Sequence, residues 1–157
     1  HGYLWGKLAY GALLFATALV DASIADVLAS ERHRPPLVAL AREVVAVTLA
    51  RGVRPEAFDG FEPWAFSPEA DDTLAHTSLD RLVTFNRASA KSHSGVWRDL
   101  AVRKRKTEVD AQIAPIAALG REVGVEAHRV QRLVELVHDV EEGRRPQAWK
   151  TLDALAL

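Results

Sequence analysis

Leu4-Trp5-Gly6-Lys7-Leu8-Ala9-Tyr10-Gly11-Ala12-Leu13-Leu14-Phe15-Ala16-Thr17-Ala18-Leu19-Val20 carries a single charge, and from Leu8 to Val20 thirteen residues pass without another. A stretch that is apolar on every side belongs in a protein interior as a helix. Thirteen residues are too few to span a bilayer, which takes about 20. The same run has the length of a signal-peptide core, with Lys7 as a meagre basic flank; the buried helix is the reading taken here, over residues 4–19. Lys7 is the exception within it. Burying an ammonium among apolar side chains is costly unless a partner or a reaction uses it, so Lys7 either snorkels at a helix end or works.

The segments that follow also read as helix. Asp21 or Ser23 offers a cap for a short helix over 24–29. Pro35-Pro36 opens the next, in which Leu37, Leu40, Ala41, Val44, Val47 and Thr48 fall on one face and Gly52 supplies the stop. Residues 53–72 break any period with Pro55, Gly60, Pro63 and Pro68, while Phe58, Phe61, Trp64 and Phe66 are aromatic anchors, which predicts an ordered loop pinned to the core. Asp71 or Asp72 caps a helix over 73–88, and a polar turn over 89–95 leads into a short helical piece over 96–102. Thr107 caps the next helix, with Asp110 reaching back in a variant of the capping box and Gly120 or Gly124 ending it. Pro115 removes the hydrogen bond to the Ala111 carbonyl, so this helix should kink or split. The last long helix, over 126–142, carries Val130, Leu133, Val134, Val137 and Val140 on one stripe, and residues 146–157 add a terminal turn. No strand pattern, repeat or low-complexity tract is present, so the expected fold is a single all-α domain over 1–157.

Composition narrows the function classes. The 157 residues carry 20 basic against 21 acidic side chains, a net charge of -1, which argues against a nucleic-acid or membrane-surface binder. With no cysteine, disulfides, thiolate nucleophiles and Cys-based metal sites are excluded. His76, His93, His128 and His138 lie in different segments without metal-ligand spacing, so no metal is expected. No Gly-x-Gly-x-x-Gly or P-loop pattern occurs, so no cofactor-binding residue is expected in this chain. The opening His1-Gly2-Tyr3 and the lack of any methionine predict a piece of a longer polypeptide. Nothing points outside the cell, and the expected compartment is the cytoplasm.

Two constellations carry chemistry. Ser92-His93-Ser94-Gly95-Val96-Trp97-Arg98-Asp99 gathers hydroxyls, an imidazole, a glycine and a guanidinium where a loop feeds a helix. Backbone N–H groups and Arg98 could cradle a carboxylate there; the bland alternative is an exposed turn anchored by Trp97. Glu108 sits in a first turn, where it could face Lys7 or merely complement the helix dipole. Arg103-Lys104-Arg105-Lys106 reads as a solvated charge run, with phosphate contact at a cofactor's edge as the weaker alternative.

Leu4-Trp5-Gly6-Lys7-Leu8 on an apolar opening helix, a serine-rich turn running into Trp97-Arg98-Asp99-Leu100, and Thr107-Glu108-Val109-Asp110 followed by a helix ending in Gly120-Arg121-Glu122-Val123-Gly124-Val125 resemble, in order and over nearly the whole chain, the C-terminal domain of ketopantoate reductases (2-dehydropantoate 2-reductases). The resemblance implies an all-helical domain similar to that of 6-phosphogluconate dehydrogenase. It closes the cleft of an NADPH-dependent oxidoreductase whose N-terminal Rossmann domain holds the cofactor. It implies that Lys7 is the catalytic lysine, hydrogen-bonding and protonating the carbonyl of a 2-oxo acid as hydride arrives, a role suited to an ammonium in apolar surroundings. Glu108 matches the glutamate that binds the substrate hydroxyl, and Ser94-Gly95 lies where a serine helps hold the substrate, with Ser92 the other candidate. Gly11 and Phe15 stand where family members often carry asparagines, and one extra residue separates Asp99 from Glu108. These departures imply a different 2-oxo acid or related carbonyl compound. A homodimer is left open, and the alternative from another class is a non-catalytic helical interaction or dimerisation module that keeps the fold without the chemistry.

Overall fold

Apolar residues that return every three or four positions can be buried only by helix-on-helix packing, and the computed structural model, which describes residues 1–157, is built that way. Nine α-helices follow one another: α1 (Gly2–Thr17), α2 (Ile24–Ala29), α3 (Arg34–Ala50), α4 (Asp72–Ala88), α5 (Gly95–Arg98), α6 (Val109–Gln112), α7 (Ala114–Glu122), α8 (His128–Glu141) and α9 (Trp149–Asp153). The only β pairing is an isolated antiparallel bridge between Phe58 and Phe61. α1 packs on α3, α2 packs on α4, and α7 and α8 also pack on α3, with α8 reaching α1 as well. Leu13, Leu19, Leu37, Leu40, Leu79 and Leu133 are wholly enclosed between these layers. Each such side chain contributes about 1.5–3 kcal/mol over leaving it in water.

Several local expectations hold for the physical reason given. The Ser23 hydroxyl accepts from the Asp26 N–H at 3.1 Å and starts α2, and the Asp71 carboxylate does the same for Leu74 at 3.1 Å in α4. Pro35 and Pro36 occupy the first turn of α3, and all six residues of its expected face are buried. The chain breaks at Ile113, two residues before Pro115, into α6 and α7. Gly52, Gly124 and Gly143 all adopt positive φ where a helix stops.

Other expectations are corrected. α1 begins and ends two residues earlier than read, because the Thr17 hydroxyl turns back to the Leu14 carbonyl at 2.9 Å and Leu19 and Val20 bond three residues back. Gly120 does not end a helix. It lies inside α7, where a Cβ would stand 2.6 Å from the Val125 carbonyl oxygen, and Gly124 is the stop. Trp64 is not a core anchor: it is 47% exposed beneath the Arg54 guanidinium, 5.5 Å from its ring centroid. Residues 63–66 form a 3₁₀ turn, whose three-residue period brings Pro63 and Phe66 inward together and leaves Trp64 outside. Phe61 and Phe66 do anchor the loop, stacked at 5.3 Å and buried.

The short piece after the polar turn is α5 running directly into a wider π turn, Asp99–Arg103, which Lys104 ends in left-handed conformation at φ 52°. The capping box at Thr107 is not formed. The Thr107 N–H goes instead to the Glu141 carboxylate at 2.7 Å, and Asp110 pairs with His138. α8 starts at His128, where Glu43 from α3 accepts from the Arg129 and Val130 N–H groups at 2.9 and 3.0 Å.

Candidate functional site

One side of α1 is left uncovered by the packing. Trp5, Ala9, Ala12, Leu13 and Ala16 are buried, whereas Leu4 and Lys7 are exposed and Leu8, Gly11 and Leu14 half-buried. The expectation of a buried ammonium is therefore corrected: Lys7 projects from the open face, its Nζ lying 5.6 Å from the Tyr3 ring centroid and 5.5 Å from that of Phe58. The aromatic faces attract the cation without removing it from water. A helix apolar all round does not need neighbours all round, and periodicity could not tell which stripe would be left open.

The largest cavity, about 570 Å³, opens where this face of α1 ends. Leu14, Phe15 and Val96 form its apolar wall; Ser94, Gly95, Asp99, Arg103, Arg105, Lys106, Glu108 and Gln112 complete it. Two stretches far apart in sequence thus meet: the end of α1, and residues 94–112, which run from α5 through its π turn to α6. Lys7 does not line this cavity. It lies on the same open face as Leu14, seven residues earlier, about 10 Å along the helix axis at 1.5 Å per residue. Gly11 lies between them, and a Cβ there would meet nothing within 4 Å, so no neighbouring segment crosses the helix at that point.

Ser94, not Ser92, lines the same cavity as Glu108. Ser94 caps α5, accepting from the Trp97 N–H at 3.0 Å, and its hydroxyl proton remains free to donate. Ser92 lines a separate cavity of about 280 Å³ with Ser23, Asn86 and Arg87. Gly95 is not required by packing, since a Cβ there would also meet nothing within 4 Å. Arg98 is turned away from the cavity lining and donates to the His93 carbonyl at 3.2 Å, fastening the loop.

The cations that do line the cavity come from the run read as solvated surface. Asp99 organises two of them, accepting from Arg103 at 2.9 Å and Arg105 at 2.8 Å. Burial pushes the Asp99 carboxyl up, but the two guanidinium hydrogen bonds outweigh it and hold it below the ordinary aspartate range. Lys106 stands exposed beside them. Three cations against two carboxylates leave the lining net positive, which suits an anionic ligand with an apolar body. The available sequence signal was Asp99 followed at four and six residues by arginines. Only the π turn shows that both reach back to it.

The family model for the ketopantoate reductase PanE/ApbA C-terminal domain matches residues 1–141. The chain belongs to this family. The span matched to the ketopantoate reductase C-terminal domain runs from α1 to the end of α8, so Lys7, Ser94, Gly95, Arg98, Glu108 and every cavity-lining residue lie within it and only α9 lies beyond. The all-helical architecture is that of the family's C-terminal domain. No curated protein and no solved structure matches the chain. No helix is long and apolar enough to cross a membrane.

Proposed function

We propose that residues 1–157 form the substrate-binding, cleft-closing domain of an NADPH-dependent reductase that converts a 2-oxo acid to the 2-hydroxy acid in the cytoplasm. One observation carries the reading: a single cavity brings Ser94 and Glu108 together, net positive, at the end of the open α1 face that bears Lys7. In this reading Arg105 and Lys106 attract the substrate carboxylate, Glu108 accepts from a substrate hydroxyl and the Ser94 hydroxyl donates. Lys7, on a long side chain free to swing along the open face past Gly11, donates to the carbonyl oxygen and supplies its proton. Phe15 offers carbon where family members often have asparagine, and Leu14 lines the cavity beside it, which favours a 2-oxo acid with an apolar substituent over a more polar one.

NADPH supplies the hydride when bound. The residues here do not fit its pyrophosphate, because no glycine-rich strand-to-helix turn is present; a Rossmann domain elsewhere in the polypeptide is the proposed holder. The test is made on the enzyme comprising both domains. Lys7→Ala should lower kcat by roughly 10²–10⁴-fold, the usual worth of a positioned general acid, while the NADPH Kd stays unchanged. Glu108→Ala should mainly raise KM. Near-normal turnover by Lys7→Ala would overturn the catalytic reading and leave a helical interaction module with a snorkelling lysine.

A further inference from the structure

Glu108 stands at the head of a four-residue helix with no side-chain cap of its own, too short to hold its shape unaided. Its carboxylate accepts from the Gln112 side chain one turn on, and the turn itself is tied from outside. Glu141, at the end of α8 and with only 2% of its side chain exposed, accepts from both the N–H and the hydroxyl of Thr107 at 2.7 and 2.6 Å. The imidazole of His138 lies between two carboxylates, with Nδ1 2.8 Å from Glu141 and Nε2 2.8 Å from Asp110. Both ring nitrogens therefore face acceptors, and only the imidazolium has two N–H groups to give. Thr107 and Asp110 flank Glu108, so the residues on both sides of the candidate substrate-binding carboxylate are tied to the same corner of α8.

We infer that Glu141 and His138 are positioning residues for Glu108: they fasten the 107–110 turn to α8, and loss of the imidazolium proton loosens that turn and Glu108 with it. The inference rests on the reading that Glu108 binds substrate. The groups facing the pair are Asp110 from α6, with Lys104, Arg105 and Arg145 lining a cavity of about 310 Å³ against Glu141. Arg105 is already paired with Asp99, and Arg145 with Asp139. Burial alone would lower the His138 pKa, but hydrogen bonds to Glu141 and Asp110 outweigh it and raise it above the ordinary histidine value. Burial likewise raises Glu141, and its bonds from Thr107 and His138 more than reverse this. The sign follows. The imidazolium clamp is complete below the ordinary histidine pKa and is lost as pH climbs through the raised folded value. Neutral His138 keeps its one N–H for the buried Glu141, and the arm to the exposed Asp110 is released.

The Ala111 and Gln112 amides, both bonded to the Glu108 carbonyl at 3.1 and 2.9 Å, are the reporters. In the 157-residue chain, His138 is titrated by NMR while amide exchange, corrected for its intrinsic pH dependence, is followed at Ala111, Gln112 and the α3 core residue Val45. Protection at Ala111 and Gln112 should fall about tenfold through the His138 titration, the scale of one charge-assisted hydrogen bond, with Val45 unaffected. His138→Gln should flatten this profile, and Glu141→Gln should lower protection at every pH. Protection indifferent to His138 titration, or an unchanged profile in His138→Gln, overturns the inference. Binding of 2-dehydropantoate, a probe that carries both the carboxylate and the hydroxyl, to the enzyme comprising both domains with NADPH present separates the two readings. Weakening by Glu108→Gln but not by His138→Gln removes the positioning role. Indifference to Glu108→Gln removes the substrate-binding role of Glu108, and the exchange profile then decides the clamp by itself.

Discussion

Gly6 and Gly11 sit five residues apart on one helix and answer to different constraints. A Cβ at Gly6 would run into the Glu56 carbonyl oxygen of the crossing loop, whereas a Cβ at Gly11 meets nothing within 4 Å. Gly11→Ala should therefore stabilise the chain by about 0.5–1 kcal/mol, the cost of glycine in a helix interior. Gly6→Ala should destabilise it, because the obstacle is backbone and cannot swing aside. Urea unfolding of the two variants measures the contrast, and equal effects would mean that the loop does not pack on Gly6. The same open space at Gly11 lies between Lys7 and the cavity, so a large side chain there tests the proposed route without touching either end.

At the level of the element, α1 has a sequence that could be buried on any side and a packing that buries all but one. Leu13 is fully enclosed and Leu4 is 58% exposed. Leu13→Ala is expected to cost about 3–5 kcal/mol, transfer plus residual cavity, and Leu4→Ala less than about 0.5 kcal/mol, by chemical denaturation. Comparable losses would show that the open face is covered in solution. α6 and α7 illustrate the opposite balance. Pro115 made their division legible, but the partner that holds the start of α6, Glu141, lies 34 residues from Thr107 and no local pattern announces it. Thr107 and Asp110 had the spacing of a capping box, and a buried carboxylate with a stronger need for donors took its place.

Across the whole molecule, four carboxylates set the response to acid. Asp99, Glu141 and Asp139 are held below their ordinary range, Asp139 chiefly by its hydrogen bond from Arg144. Their contributions are present above the unfolded pKa and vanish as pH falls through the lowered folded values. Glu43 runs the other way: burial raises it despite bonds from Val130 and Arg129, so its protonation favours the folded state as pH drops towards the ordinary glutamate value. Stability should hold on mild acidification and then fall below the carboxylate range. Glu43→Gln should remove the mild-acid contribution while keeping the final fall. Thermal unfolding across the acid range is the measurement, and a Glu43→Gln profile parallel to the parent would contradict the assignment.

The fold class followed from the chain alone because helix periodicity, caps and breakers are local: the apolar run after Lys7, Pro35-Pro36, Pro115, Gly124 and Gly143 each act within a turn or two of themselves. Lys7, Ser94 and Glu108 entered as candidates through the resemblance to a family, with Ser92 open beside Ser94. Their placement in space could not be read that way. That Lys7 is exposed over Tyr3 and Phe58, that Arg98 turns away while Arg103 and Arg105 turn in on Asp99, and that Glu141 holds Thr107 all depend on which helix covers which face. Such contacts join residues far apart in sequence or bend a side chain through a π turn, and only the packed chain brings them within hydrogen-bonding distance.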